Sequence, residues 1–182
     1  MKEGVNIGGE ELPINTENIE QKDDIPEFDF EHGLEESISR IINLLKEKPR
    51  VVVAFSATST NVGKTYLAKA LIQSLYDKGI KSTTYNGVEE VPNRPWETDN
   101  AVFIFQQAQW GSISDEAVPQ MRSRYDSEIS KAMNSVGVEV DGVDLWVGLY
   151  RPDRPFVIKM ESRDSSSPIA DILIRNELAQ DK

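Results

Sequence analysis

The run Val51-Val52-Val53-Ala54-Phe55 is continuously apolar and is followed by Ser56-Ala57-Thr58-Ser59-Thr60-Asn61-Val62-Gly63-Lys64-Thr65. No other stretch constrains the fold as strongly. Five apolar residues in a row, rich in valine, suit a strand covered on both faces, as in a parallel sheet. The small polar residues after it make a turn, and Gly63-Lys64-Thr65 opens an amphipathic segment with Leu67, Leu71 and Leu75 on one side. Strand, turn and helix in that order make an anion site. Backbone N–H groups curl round the ligand while the helix start turns its partial positive charge toward it. Gly63 allows close backbone approach, Lys64 reaches outer phosphate oxygens, and the Thr65 hydroxyl is a ligand for Mg²⁺. The expected nucleotide-binding residues are therefore Thr58, Ser59, Thr60, Asn61, Val62, Gly63, Lys64 and Thr65. The pattern G-x-x-x-x-G-K-[ST] asks for glycine at position 58, and this chain has Thr58.

The remaining pattern builds an α/β domain round that strand. Leu34, Ile38, Ile41, Ile42 and Leu45 fall on one helical face that starts near His32, and Pro49 stops it. Gly79 ends the helix after the loop, and Ile80 to Tyr85 is the second strand of a β-α-β unit whose crossover is right-handed. Asn86 to Asn100 is a polar, proline-broken loop at the carboxyl edge of the sheet, where α/β proteins bind ligands. Ala101 to Phe105 is a third strand, ending in Gln106-Gln107, and Pro119 to Ser135 is a helix with Met121, Tyr125, Ile129 and Met133 every four residues. Asp141-Gly142 makes either a hairpin or a turn before a strand at Leu145 to Tyr150, and Ile169 to Ile174 is the last strand.

Charge separates the first residues from the rest. Of the net −11, residues 1–31 hold ten acids against Lys2 and Lys22, a local −8, which leaves −3 for the remainder. Residues 1–31 read as an acidic flexible segment and 32–182 as one domain. A binder of nucleic acid polymers carries a basic footprint, which is missing here. The chain has no cysteine, which excludes disulfides, zinc–thiolate sites and a cysteine nucleophile. No apolar run reaches the roughly 18 residues of a membrane span, and the acidic start carries no signal-peptide pattern, so the expectation is a cytoplasmic protein with no membrane partner. His32, the single histidine, sits at a helix start and suits a cap, which leaves a Ser-His-Asp triad without support.

Two stretches carry a family resemblance. Arg50 to Ser56 with Gly63-Lys64-Thr65-Tyr66-Leu67-Ala68 resembles the opening of P-loop kinases of the uridine kinase branch. Ala170-Asp171-Ile172-Leu173-Ile174-Arg175-Asn176 is similar to the final strand of many small-molecule kinases. The resemblance implies a three-layer P-loop NTPase fold with a central, mostly parallel sheet. It also implies ATP with Mg²⁺, and phosphoryl transfer to a hydroxyl, with a nucleoside as acceptor and oligomers possible. Lys64 would bridge the β- and γ-phosphates, Arg151 and Arg154 would close over the γ-phosphate, and Glu89 or Glu90 would serve as base. Trp96 and Trp110 would offer stacking surfaces. The pattern departs where the family has an acidic pair after the second strand and an acid at the end of the third, here Gln106-Gln107. A second resemblance joins Thr58-x-Thr60-x-Val62-Gly63-Lys64-Thr65 to the loop of dethiobiotin synthetase, with Ala57 and Ser59 in place of Gly and Asp. Kinase, dethiobiotin-type enzyme and a nucleotide-binding module without chemistry all stay open.

Overall fold

Why the valine-rich run is buried on both faces becomes plain from its place in the sheet. The computed structural model describes residues 27–57, 62–109, 118–150 and 172–175. Its six strands are β1 (Glu27–Phe28), β2 (Val51–Ala57), β3 (Ser82–Tyr85), β4 (Val102–Gln109), β5 (Leu145–Tyr150) and β6 (Ile172–Arg175). They form one sheet in the order β1-β6-β5-β2-β4-β3, and every pairing is parallel. All seven residues of β2 are buried, since β4 and β5 flank it and helices cover both faces.

The helices are α1 (Phe30–Glu47), α2 (Lys64–Asp77) and α3 (Val118–Ser135). Strand alternation divides the core into two layers. Val51, Val53, Phe55 and Ala57 of β2 face α1 and α2, packing with Ile38, Ile41, Leu67, Leu71 and Leu75. Val52 and Ala54 face α3 with Phe103, Phe105, Ile129, Met133 and Trp146. Each fully buried leucine of α2 contributes roughly 1.5–3 kcal/mol through the apolar area it removes from water. Connections running toward β3 (β1 to β2, β2 to β3) place their helices on one face. The connection running back, β4 to β5, places α3 on the other, which is what crossovers of a single hand require. The direction reverses beside β2, so the carboxyl end of β2 lies at the switch point where open α/β sheets hold ligands.

Several boundaries differ from the expectation. The folded unit begins before residue 32. Glu27 and Phe28 pair with Leu173 and Ile174 of β6, Asp29 caps α1, and Phe28 and Phe30 pack against the core. Two aromatic rings in an acidic stretch outweigh its charge once β6 offers an unpaired edge. Gly33 belongs to the same junction, because a Cβ there would meet Ile174 at 2.5 Å, so α1 lies close on β6. β4 runs on through Gln106 and Gln107 to Gln109 instead of ending at Phe105. Asp141-Gly142 is a turn, not a hairpin: the Gly142 N–H donates to Ser130 Oγ and the Val143 N–H to Asp126 Oδ1, both at 2.8 Å. The proline-broken loop holds two short 3₁₀ helices, Val88–Asn93 and Pro95–Glu97.

Candidate functional site

The start of α2 is built differently from an ordinary helix start. Its cap, Gly63, has φ of 100°, in the left-handed region that favours glycine, and it supplies no side-chain hydrogen bond. The first N–H groups of a helix have no intrahelical acceptor, and here no side chain among the described residues caps them. Val62 is fully buried and pins the entry to the helix. Lys64 is partly buried, and among the described residues it has neither an acceptor nor an anionic partner. Burial holds its amine below the usual lysine range. A cation in the first turn also stands at the unfavourable end of the helix dipole. A bound polyanion would offset both penalties.

Thr65 is exposed, and its hydroxyl donates to Gln106 Oε1 at 3.1 Å. Gln106 in turn donates from Nε2 to Thr84 Oγ1 at 2.8 Å, giving a neutral chain from α2 across β4 to β3. Strand alternation puts it there. Val102 and Ile104 face the α2 layer, so Gln106 does too, and Thr84 shares that face because it pairs with Ile104. The register between β2 and β4 shifts by one between Ala54 and Ser56, placing an extra β4 residue at Gln106-Gln107. Such bulges recur beside sites, where they re-aim side chains. Gln106 is nine-tenths buried, and both ends of its amide are used. A carboxylate there would bring a negative charge to Thr65; the amide brings none.

A second cluster closes the end of β3. The Arg94 guanidinium donates to Thr84 O at 2.7 Å, Thr83 Oγ1 at 2.9 Å, Glu97 Oε1 at 2.7 Å and Glu90 Oε2 at 3.3 Å. It also stands 4.7 Å from the centre of the Tyr85 ring. Burial, with Glu97 nearby, pushes the Tyr85 phenol up to about 12, and its buried hydroxyl has no hydrogen-bond partner among the described residues. Glu90 additionally accepts from the Asn86 N–H at 2.9 Å. Its carboxylate is thus committed to the loop. Glu89 is exposed, and its carboxylate lies against Gly87, where a Cβ would sit 2.3 Å from it.

The sequence-derived site therefore divides into three groups. Val62, Gly63, Lys64 and Thr65 stand together at the switch point, with Gln106 bonded to Thr65. Glu89 and Glu90 lie on the loop after β3, and Glu90 is tied to the same edge through Arg94, which bonds Thr84 O. Thr58, Ser59, Thr60, Asn61, Trp110, Arg151 and Arg154 lie outside the described residues. Among the described residues no group of three acidic or histidine side chains is arranged to hold a metal ion, and no helix is long and apolar enough to cross a membrane. An open depression of about 400 Å³ lies at the opposite, amino edge, lined by Lys48, Arg50, Glu139 and Asp141 among others, and shares no residue with this site. Thr84 and Arg94 are the contributors that the linear reading missed. Alternation from Tyr85 would have flagged Thr84, but nothing local flags Arg94, whose partners are fixed by the loop's path. Neither a family model, nor a curated protein, nor a solved structure matches this chain.

Proposed function

We propose that this chain is a P-loop NTPase-type domain that binds ATP with Mg²⁺ and transfers the γ-phosphate to a small hydroxyl acceptor, a nucleoside being the class to test first. The observation that carries the reading is Lys64, a partly buried amine with no anionic partner among the described residues, at the uncapped start of the helix that follows the central strand. ATP supplies the transferable phosphoryl group when bound. Lys64 neutralises charge on its outer phosphates, and the N–H groups of the α2 start bind phosphate oxygens. Thr65 fits a Mg²⁺ ligand, because giving its proton to Gln106 leaves oxygen lone pairs for a cation. Arg151 and Arg154 are the arginines proposed to close over the γ-phosphate. Since Glu90 is held by Asn86 and Arg94, Glu89 is the better candidate for the base that takes the acceptor's proton.

A second reading, a nucleotide-binding module without transfer, is favoured by Gln106. A neutral amide at Thr65 adds nothing to the charge that holds Mg²⁺ between the phosphates. One experiment separates the two: ADP release from ATP and Mg²⁺, measured with a panel of nucleosides and without acceptor. Transfer predicts acceptor-dependent ADP, reduced on the order of 10²–10⁴-fold by Glu89→Gln while ATP binding persists. Binding of ATP with no ADP release from any acceptor assigns the module. Glu90→Gln is a poor probe, since it also loosens the loop.

A further inference from the structure

Tyr66 directly follows Thr65 and stands 57 % exposed on a helix whose Leu67, Ala68, Leu71 and Leu75 are buried. Its ring centre lies 5.1 Å from that of Phe30, at an interplanar angle of 41°. Phe30 is the first residue of α1 and packs partly against the core. In a parallel sheet the helices that lead into and out of β2 both run against the strands. The first turns of α1 and α2 therefore meet at the carboxyl edge, and the Phe30–Tyr66 contact joins them there.

We propose that Phe30 and Tyr66 form a stacking platform for the base of the bound nucleotide, an inference that rests on the nucleotide-binding reading above and adds a place for the base. Phe30 fixes Tyr66 from one side, so little side-chain freedom remains to be lost when a base settles on the exposed remainder of the ring. Consecutive Cα atoms are about 3.8 Å apart, so the platform begins one residue from the Thr65 hydroxyl. A triphosphate held by Lys64 and Thr65 carries its nucleoside past this position. Two acids flank Phe30: Asp29, the cap of α1, is bonded to His32 Nδ1 at 2.6 Å, which leaves its charge partly answered beside the ligand, and Glu31 in the first turn is exposed to solvent. Stacking uses the π-face common to all bases, so the platform adds affinity with little choice among them.

The test compares ATP, GTP and inorganic tripolyphosphate, each with Mg²⁺, by calorimetry on the whole chain. The wild-type protein is expected to bind ATP and GTP about tenfold or more tightly than tripolyphosphate, and Tyr66→Ala to remove that margin while leaving tripolyphosphate unchanged. Tyr66→Phe should keep the margin, and Tyr76→Ala, at the far end of α2 and 73 % exposed, should not alter it. Equal affinity for ATP and tripolyphosphate in the wild type, or an equal loss of both in Tyr66→Ala, overturns the platform and leaves the phosphate site standing. Failure of all three ligands to bind the wild-type protein removes the phosphate site and the platform together.

Discussion

α1 and α2 start side by side at one edge of the sheet, yet in opposite ways. α1 has an N-cap, Asp29, whose carboxylate accepts from the His32 N–H at 2.9 Å and pairs with the His32 ring. An acid sits at the positive end of that helix, and its exposed donors have an internal partner. α2 has a left-handed glycine for a cap, no side-chain acceptor among the described residues, and a cation in its first turn. By local energetics α1 is well made and α2 is badly made. The difference marks where the chain leaves a requirement open, since a helix start that is electrostatically wrong alone is right with an anion bound.

That contrast breaks most sharply at Lys64. Lys64→Ala is expected to abolish the rise in melting temperature given by ATP and Mg²⁺, a stabilisation of about 2.7 kcal/mol at a ligand concentration of 100 Kd. Without ligand the variant should be no less stable than the wild type, because the removed amine has no partner among the described residues. A ligand-induced shift that survives would show that the uncapped start is only a structural irregularity. Gly63→Ala comes next. With φ of 100°, an alanine pays roughly 1–2 kcal/mol for the left-handed conformation, readable as a lower urea midpoint without ligand. An unchanged midpoint would mean that the chain relaxes there at no cost.

Asp29→Ala addresses the other helix. It should lower the melting temperature of the ligand-free protein by a smaller amount and leave tripolyphosphate affinity intact; a loss of that affinity would show that the two helix starts are coupled. The smallest effect is in pH. The Asp29 carboxylate raises the His32 pKa above its ordinary value, first by hydrogen bonding and then by charge. The His32 N–H and ring in turn hold the Asp29 pKa below its ordinary value. The raised histidine contributes stability that is fully present below the unfolded value of about 6.5 and is lost as pH rises through the folded pKa. The lowered aspartate contributes above its unfolded value of about 3.9 and is lost as pH falls through its own folded pKa. The cap is therefore strongest between those two unfolded values. A ring titration by NMR should show the His32 midpoint falling toward the ordinary value in Asp29→Asn. A midpoint that stays put would remove Asp29 as the cause.

Much of this was readable from the chain. Continuous apolar character at Val51 to Phe55 required a strand covered on both faces, and β2 is fully buried. The four-residue recurrence of leucines required α2, and the glycine of Gly63-Lys64-Thr65 marked where that helix starts. The departure at Gln106 was legible too, as an amide where the resemblance leads one to expect an acid. What it touches was not, because Thr65 and Gln106 are 41 positions apart and meet only through the pairing of β2 with β4.

Local pattern failed where a residue's role depends on a distant edge. Phe28 and Phe30 sit in an acidic stretch, where composition favoured a solvated tail over an end pinned to the domain. β6 made them strand and core, by offering backbone groups that their own segment could not supply. Glu90 read as a candidate base until the loop folded Arg94 back onto it. By itself the sequence determined the central strands, the helices α1 to α3 and the glycine-led start of α2, since those follow from periodicity, β-branching and glycine placement within a few residues. Only the tertiary structure decided the strand order, the start of the folded unit, the neutral partner of Thr65 and the meeting of Phe30 with Tyr66. Each of these depends on which backbone edges and helix ends are brought together across long loops, a choice that burial of the whole sheet makes and no short stretch encodes.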